Sequence, residues 1–235
     1  MNRQAQAVVM LLFGGAVLKA SLGDLYLRYV KEGLRPFLIG AGLLLVAAGV
    51  MTLWYELRPR RTPAEEHHHH EPRVGWLLIL PVLGLLLVAP PALGSYAAAQ
   101  AGSVLAAQGS ASDYPPLPAG EPVDVGLLDY ASRAVFDQGR SLTGRTLRLT
   151  GFVTPGPDGE PMLARMVLSC CAADGRPIKV GLAGNGPAGV APDTWIRVVG
   201  AYSERVGKDP VNGAEVPYLQ VQSWQEIAAP KQQYE

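Results

Sequence analysis

Residues 146–154 read TLRLTGFVT, and this stretch decides the fold of the C-terminal half. Leu147 and Leu149 alternate with Arg148 and Thr150, the period-two pattern of a strand with one buried face. Gly151 then permits a sharp coil within the strand. Residues 155–159, PGPDG, are a turn. Four more short runs of strand character follow, at Met162–Cys170, Arg176–Leu182, Thr194–Ala201 and Val216–Trp224. Five short strands broken by Gly/Pro turns predict a small closed or partly closed barrel, and an OB-like barrel fits best. One helix precedes it. Leu127, Leu128, Ala131, Ala134 and Val135 recur at helical spacing over Leu127–Phe136, with Asp124 as the expected N-cap. The β domain is expected over residues 121–235.

Upstream the composition changes. The 235-residue chain is 49% hydrophobic and only 17% charged, where a soluble domain carries ~25% charged residues. The apolar excess lies in three runs, residues 7–22, 36–54 and 74–94. A membrane span needs ~20 predominantly apolar residues. The pattern predicts an α-helical membrane region over residues 1–94 with three transmembrane helices, about 5–24, 36–54 and 74–94. Arg3 gives the first run the basic start of a signal peptide, yet no small-x-small cleavage site follows, so an anchor is expected. Lys19 stands where its ammonium can snorkel to the interface. Gly14, Gly15, Gly40 and Gly42 are candidates for close helix packing. With three spans, Arg3, Arg58, Arg60, Arg61 and Arg73 share one side, against Arg28, Lys31 and Arg35 on the other. The positive-inside bias makes this a multi-pass cell-membrane protein in the lipid bilayer, with everything after Gly94 extracytoplasmic. Residues 95–110 are rich in Ala, Gly, Ser and Gln and lead into DYPPLP at 113–118, which predicts a juxtamembrane linker over 95–120.

Lys+Arg and Asp+Glu both number 20. From Glu121 onward there are 11 Lys/Arg against 13 Asp/Glu. That balance lacks the basic footprint of a nucleic-acid binder. All four histidines, His67, His68, His69 and His70, lie together between Glu66 and Glu71. Such a cluster holds zinc, nickel or copper weakly, or is a solvated connector, since consecutive histidines impose no fixed geometry.

The most informative string is RMVLSCCAADGRP, residues 165–177. The two cysteines of the chain, Cys170 and Cys171, are adjacent, and Asp174 follows three residues on. On an extended strand Cys170 would share the apolar face of Ala164, Met166 and Leu168, and Cys171 the face of Arg165 and Ser169. A turn would bring both sulfurs together with Asp174. Four readings stand: packed structural cysteines, a thiolate site for a thiophilic metal or metalloid ion with Asp174 as an oxygen donor, a vicinal disulfide switch, and a nucleophilic cysteine. The last is the weakest, because no histidine after His70 is present to act as its base. Arg165 alongside would lower the pKa of Cys171.

Three apolar runs, a histidine loop between the second and third, and a β domain with the string Arg165, Cys170, Cys171, Asp174 resemble the YcgQ-like permease subunits. The histidine loop here is shorter than relatives can carry. The resemblance implies a multi-spanning permease as partner, similar to transporters of organoarsenicals, and carries over no enzymatic residue. The expectation is a non-enzymatic membrane subunit that binds or senses a thiophilic ion. The alternative is a membrane-anchored ligand-binding or thiol-redox module of the cell envelope.

Overall fold

A computed structural model describes residues 3–58, 84, 90–107 and 114–235. The chain divides into two units, Met1–Pro91 and Ala92–Glu235.

The first unit contains two apolar helices, α1 (Arg3–Leu22) and α2 (Arg35–Leu57). Both are long and apolar enough to cross a membrane, since 20 residues at 1.5 Å rise span ~30 Å. They pack on each other through small residues. A Cβ on Gly42 would stand 2.8 Å from Leu18, one on Gly49 2.8 Å from Leu11, and one on Gly14 2.9 Å from Val46. Gly15 and Gly40, which the sequence also nominates, face open space, and Gly49 takes their place. Gly42 and Gly49 are seven residues apart, so two helical turns return the same face to α1. The chain turns between the helices through Arg35, whose Nε donates to Ser21 O at 3.0 Å and so satisfies a carbonyl at the end of α1. The expected third span lies outside the described residues except for Gly84 and residues 90–94, and the last five of these are not helical.

The second unit is a closed five-stranded barrel with helices packed on it. A two-residue strand β1 (Val123–Asp124) leads to a helix over Leu127–Phe136, and then come β2 (Leu147–Pro155), β3 (Pro161–Val167), β4 (Arg176–Gly184), β5 (Trp195–Lys208) and β6 (Glu215–Glu226). The neighbours run β2-β3-β4-β6-β5, and β5 pairs back to β2. β4 and β6 are parallel; the other barrel pairs are antiparallel. Closure rests on β2, which pairs with β5 over 147–152 and with β3 over 152–155. Gly151 stands at the crossover, and a Cβ there would lie 2.6 Å from Ala164 O, so a side chain is excluded. Leu147, Leu149, Leu163, Ile178, Val180, Ile196, Val198 and Leu219 fill the interior. The helix before β2 buries Leu127, Tyr130, Ala131 and Ala134 against them. Tyr130 Oη donates to Tyr218 O at 2.6 Å, and burial pushes this phenol well above its ordinary range.

Asp124 does not cap that helix. It pairs with Arg148 at 2.9 Å instead, and the helix N-terminus is held by a residue distant in sequence. Glu235 Oε1 accepts from Leu127 N and Oε2 from Leu128 N, both at 2.8 Å. A carboxylate at this end also meets the positive pole of the helix dipole.

Residues 95–107, expected as linker, belong to the barrel unit. Ser95–Gln100 is a helix, named α3 here; the helix Leu127–Phe136 is then α4. Ala98 is buried among Phe152, Ala164 and Met166. Ser95 donates through N and Oγ to the Asp193 carboxylate. Lys179, only 2% exposed, donates to Ala101 O at 3.1 Å and pairs with Asp209 at 2.8 Å. Asp209 also accepts from Ser103 N at 3.1 Å. Alanine and serine read as linker by composition, yet small side chains are what lets a helix lie close on a strand. Replacing Lys179 by Met would strand the buried Asp209 carboxylate, a change that costs about 3–5 kcal/mol when one partner of a buried pair is lost. The expected outcome for Lys179→Met is a lower denaturant midpoint and faster limited proteolysis near Ser103; an unchanged midpoint would contradict the pairing.

Candidate thiol–carboxylate site

The site grows out of the β3–β4 connection. β3 stops at Val167, and Leu168 is still buried, its N–H donating to Glu235 O at 3.0 Å. The strand was expected to continue to Cys170. It stops because Asp174 captures the backbone donors that a further strand would have to pair. Asp174 Oδ1 accepts from Ser169 N at 2.8 Å, and Oδ2 accepts from Cys170 N at 2.8 Å and Cys171 N at 3.2 Å. Ala172–Asp174 closes as a single 3₁₀ turn, with Asp174 N donating back to Cys171 O at 3.0 Å. In the same turn the Cys171 side chain accepts from the Asp174 N–H, a reciprocal capping arrangement with a sulfur in the place of a hydroxyl. Gly175 then leads to Arg176 at the start of β4.

This turn corrects the alternation expected for the cysteines. Ala164, Met166 and Leu168 do share a buried face. Cys170 leaves it and is exposed, while Cys171 is half-buried. Both are free thiols. The Sγ atoms of Cys170 and Cys171 and a carboxylate oxygen of Asp174 all lie within 4.8 Å of one another. The cluster has these three members among the described residues. Arg165 is elsewhere engaged. Its Nη1 pairs with Glu235 at 3.2 Å, its Nη2 donates to Gln232 O at 2.7 Å, and its guanidinium stands over the Trp195 ring at 5.9 Å. It fastens the C-terminal tail to β3. The histidines His67 to His70 lie outside the described residues.

The electrostatics follow from these contacts. The hydrogen bond from the Cys170 thiol pulls the Asp174 carboxyl down to about 2, helped by the backbone N–H groups of Cys170 and Ser169. The same bond pushes the Cys170 thiol up to about 11, with the Cys171 side chain adding to the effect. At neutral pH the resting state is a thiol donating to a carboxylate. Such a thiol is a poor nucleophile. Two sulfurs within 4.8 Å of each other remain able to close on one soft ion, because two thiolates each ~2.3 Å from a common metal stand at most about 4.6 Å apart whatever the angle between them. Asp174 fits the role of third donor less well, since its oxygens already hold three N–H groups.

Residues 133–235 match the DUF1980 C-terminal domain. The DUF1980 match starts inside α4 at Arg133 and takes in the barrel strands β2 to β6, the cysteine turn and the tail that ends at Glu235. It is consistent with the YcgQ-like resemblance of the sequence. No curated protein matches the chain, and no solved structure does.

The sequence pointed to Cys170, Cys171 and Asp174 through their spacing. It missed Glu235, which closes both the helix N-terminus and the Arg165 contact. The carboxylate works here in one direction of pH. Its folded value lies below the ordinary one, so its contribution to the turn is full above the ordinary carboxylate range and is lost as pH falls through about 2. The raised thiol works in the other direction, and its contribution is lost as pH rises through about 11. Asp174→Asn removes the charge that holds the Cys170 proton. At pH 8 the thiolate fraction of Cys170 should then rise by ~10-fold or more, as its pKa falls from about 11 toward the ordinary thiol value. Timed alkylation followed by peptide mass analysis reads this at Cys170; equal rates in the parent and Asp174→Asn chains would exclude the thiol–carboxylate bond.

Proposed function

We propose that the chain is a non-enzymatic membrane subunit accessory to a multi-spanning permease, with an extracytoplasmic OB-like barrel that takes a thiophilic ion at Cys170 and Cys171. The observation that carries this reading is the convergence of two free sulfurs and one carboxylate within 4.8 Å on an accessible turn. Two apolar helices support the membrane part. Five strands closing through β5 on β2, with one parallel pair, support the OB-like assignment. The permease partner rests on the sequence resemblance.

The donor set favours an ion of low coordination number. Cys170 and Cys171 would hold it through two sulfurs, as copper(I) or a trivalent arsenical accepts, where structural zinc wants four donors. Such an ion supplies only its affinity for sulfur. The protein's part is to present both thiols from one turn and to hold the Cys170 proton until the ion displaces it. Asp174 keeps the turn folded when the proton has gone, because its backbone contacts do not depend on the Cys170 thiol. Binding releases thiol protons, so affinity rises with pH.

The full chain in mild detergent, reduced under anaerobic conditions, should bind copper(I) or arsenite saturably and more tightly than zinc. The Cys170→Ser/Cys171→Ser variant should lose that binding. Equal binding by parent and variant would remove the ion site. Affinity capture from its native membrane should bring down a second, multi-spanning protein, and isolation as a lone monomer would count against the accessory role.

A further inference from the structure

The backbone of the cysteine turn is curled, and the curl brings the two sulfurs together. On an extended strand successive side chains point to opposite faces, and successive N–H groups likewise alternate. Here Cys170 N and Cys171 N both donate to one oxygen of Asp174, Oδ2, at 2.8 and 3.2 Å. Ser169 N donates to the other oxygen at 2.8 Å. Three successive N–H groups that converge on one carboxylate form a nest, a local anion cradle made by backbone alone. Along such a curl the side chains no longer alternate, and the Sγ atoms of Cys170 and Cys171 lie within 4.8 Å of each other. A disulfide bond brings its sulfurs to ~2.0 Å. Rotation about the two Cα–Cβ bonds can supply that approach. Cys170 is exposed and Cys171 half-buried, so a small reagent can reach the pair. The three N–H contacts to Asp174 involve no sulfur, so the frame of the turn survives a change at the thiols.

From this geometry we infer that Cys170 and Cys171 close reversibly into a vicinal disulfide by exchange with a low-molecular-weight disulfide, and that the closed ring is the off state of the ion site. Only the second half of the inference rests on the ion reading above. In the first step one thiolate of the pair attacks a sulfur of the oxidant, whose S–S bond breaks and releases one thiolate. In the second step the other thiolate attacks the protein sulfur of the mixed disulfide. The Cys170–Cys171 bond forms, the second oxidant thiolate leaves, and the two protons of the pair end on the two released thiols. The pair loses two electrons and the oxidant gains them. Adjacent Cα atoms stand only ~3.8 Å apart, short of the ~4.4–6.8 Å usual for a disulfide. The ring is therefore strained and easily reduced, which suits a switch rather than a staple. Closed, it offers no thiolate to a soft ion.

The test uses the full chain in mild detergent, reduced and then equilibrated under nitrogen with glutathione disulfide and rising amounts of glutathione. After an acid quench and maleimide labelling, the peptide that holds both cysteines is weighed. In glutathione disulfide alone most of it should be lighter than the dithiol by two hydrogens and carry no maleimide, and added glutathione should return it to the doubly labelled form. The Cys170→Ser and Cys171→Ser variants cannot close a ring, and at least one of them should keep a bound glutathione. A parent peptide that stays doubly labelled, that keeps glutathione, or that links two chains would overturn the ring, as would single variants that both stay unmodified. Arsenite titration then separates the two readings. The reduced chain should bind it and the oxidised chain should not. Equal binding by both would overturn the off state. A ring that closes in a chain whose reduced form binds no arsenite would remove the ion reading and the gating with it, and leave the ring itself standing.

Discussion

Everything in the C-terminal unit depends on one strand serving two partners. β2 gives its first six residues to β5 and its last four to β3, with Phe152 shared. That division turns a row of strands into a closed wall and removes the open edges that would otherwise pair with another chain. It is possible only where the backbone bends sharply enough, and Gly151 is where Ala164 O comes too close for any side chain. Once the wall closes, the interior has room for leucine, isoleucine and valine from every strand, and α4 covers them with Tyr130. The loops are thereby pushed to the ends of the barrel, where a turn of unusual chemistry can be held without disturbing the packing.

The cysteine turn illustrates how a single carboxylate can both end a strand and set the state of a thiol. Asp174 satisfies three successive N–H groups that face no strand partner. Its negative charge is stabilised by those contacts, and the stabilised charge in turn keeps the proton on Cys170. Geometry and protonation are consequences of the same few hydrogen bonds. A packed cysteine pair would look different: buried, pointing to opposite faces, and without a shared acceptor.

The elements most legible in the sequence were those set by local pattern. Leu147 and Leu149 alternate because their strand has one dry face, and Leu127–Phe136 shows helical spacing because one face covers the barrel. Three-residue spacing sufficed to bring Asp174 to Cys170 and Cys171, since a single turn spans that distance. What remained illegible depends on pairs far apart in the chain. Asp124 looked like a cap because nothing local reveals that Glu235 arrives from over a hundred residues away. Arg165 looked like a partner of the cysteines because its real partners lie in the tail. Ser95–Gln100 looked like linker because alanine has no pattern of its own. Its burial is decided by Phe152 and Ala164, and by the ion pair of Lys179 with Asp209. β5 and β6 also run further than their apolar cores suggest, past register shifts at Val199/Gly200 and Ser203/Val206 that break the alternation.

Leu93 N donates to Tyr234 Oη at 2.8 Å, and this stitch has a mechanical meaning. Tension applied at the entrance of the unit does not reach the thin strand β1 first. It passes from Leu93 to the tail, and from the tail through Glu235 and Arg165 into β3, which lies inside the closed wall. The entrance of the unit and its C-terminal tail are therefore held at one place on β3 rather than at separate points of the barrel.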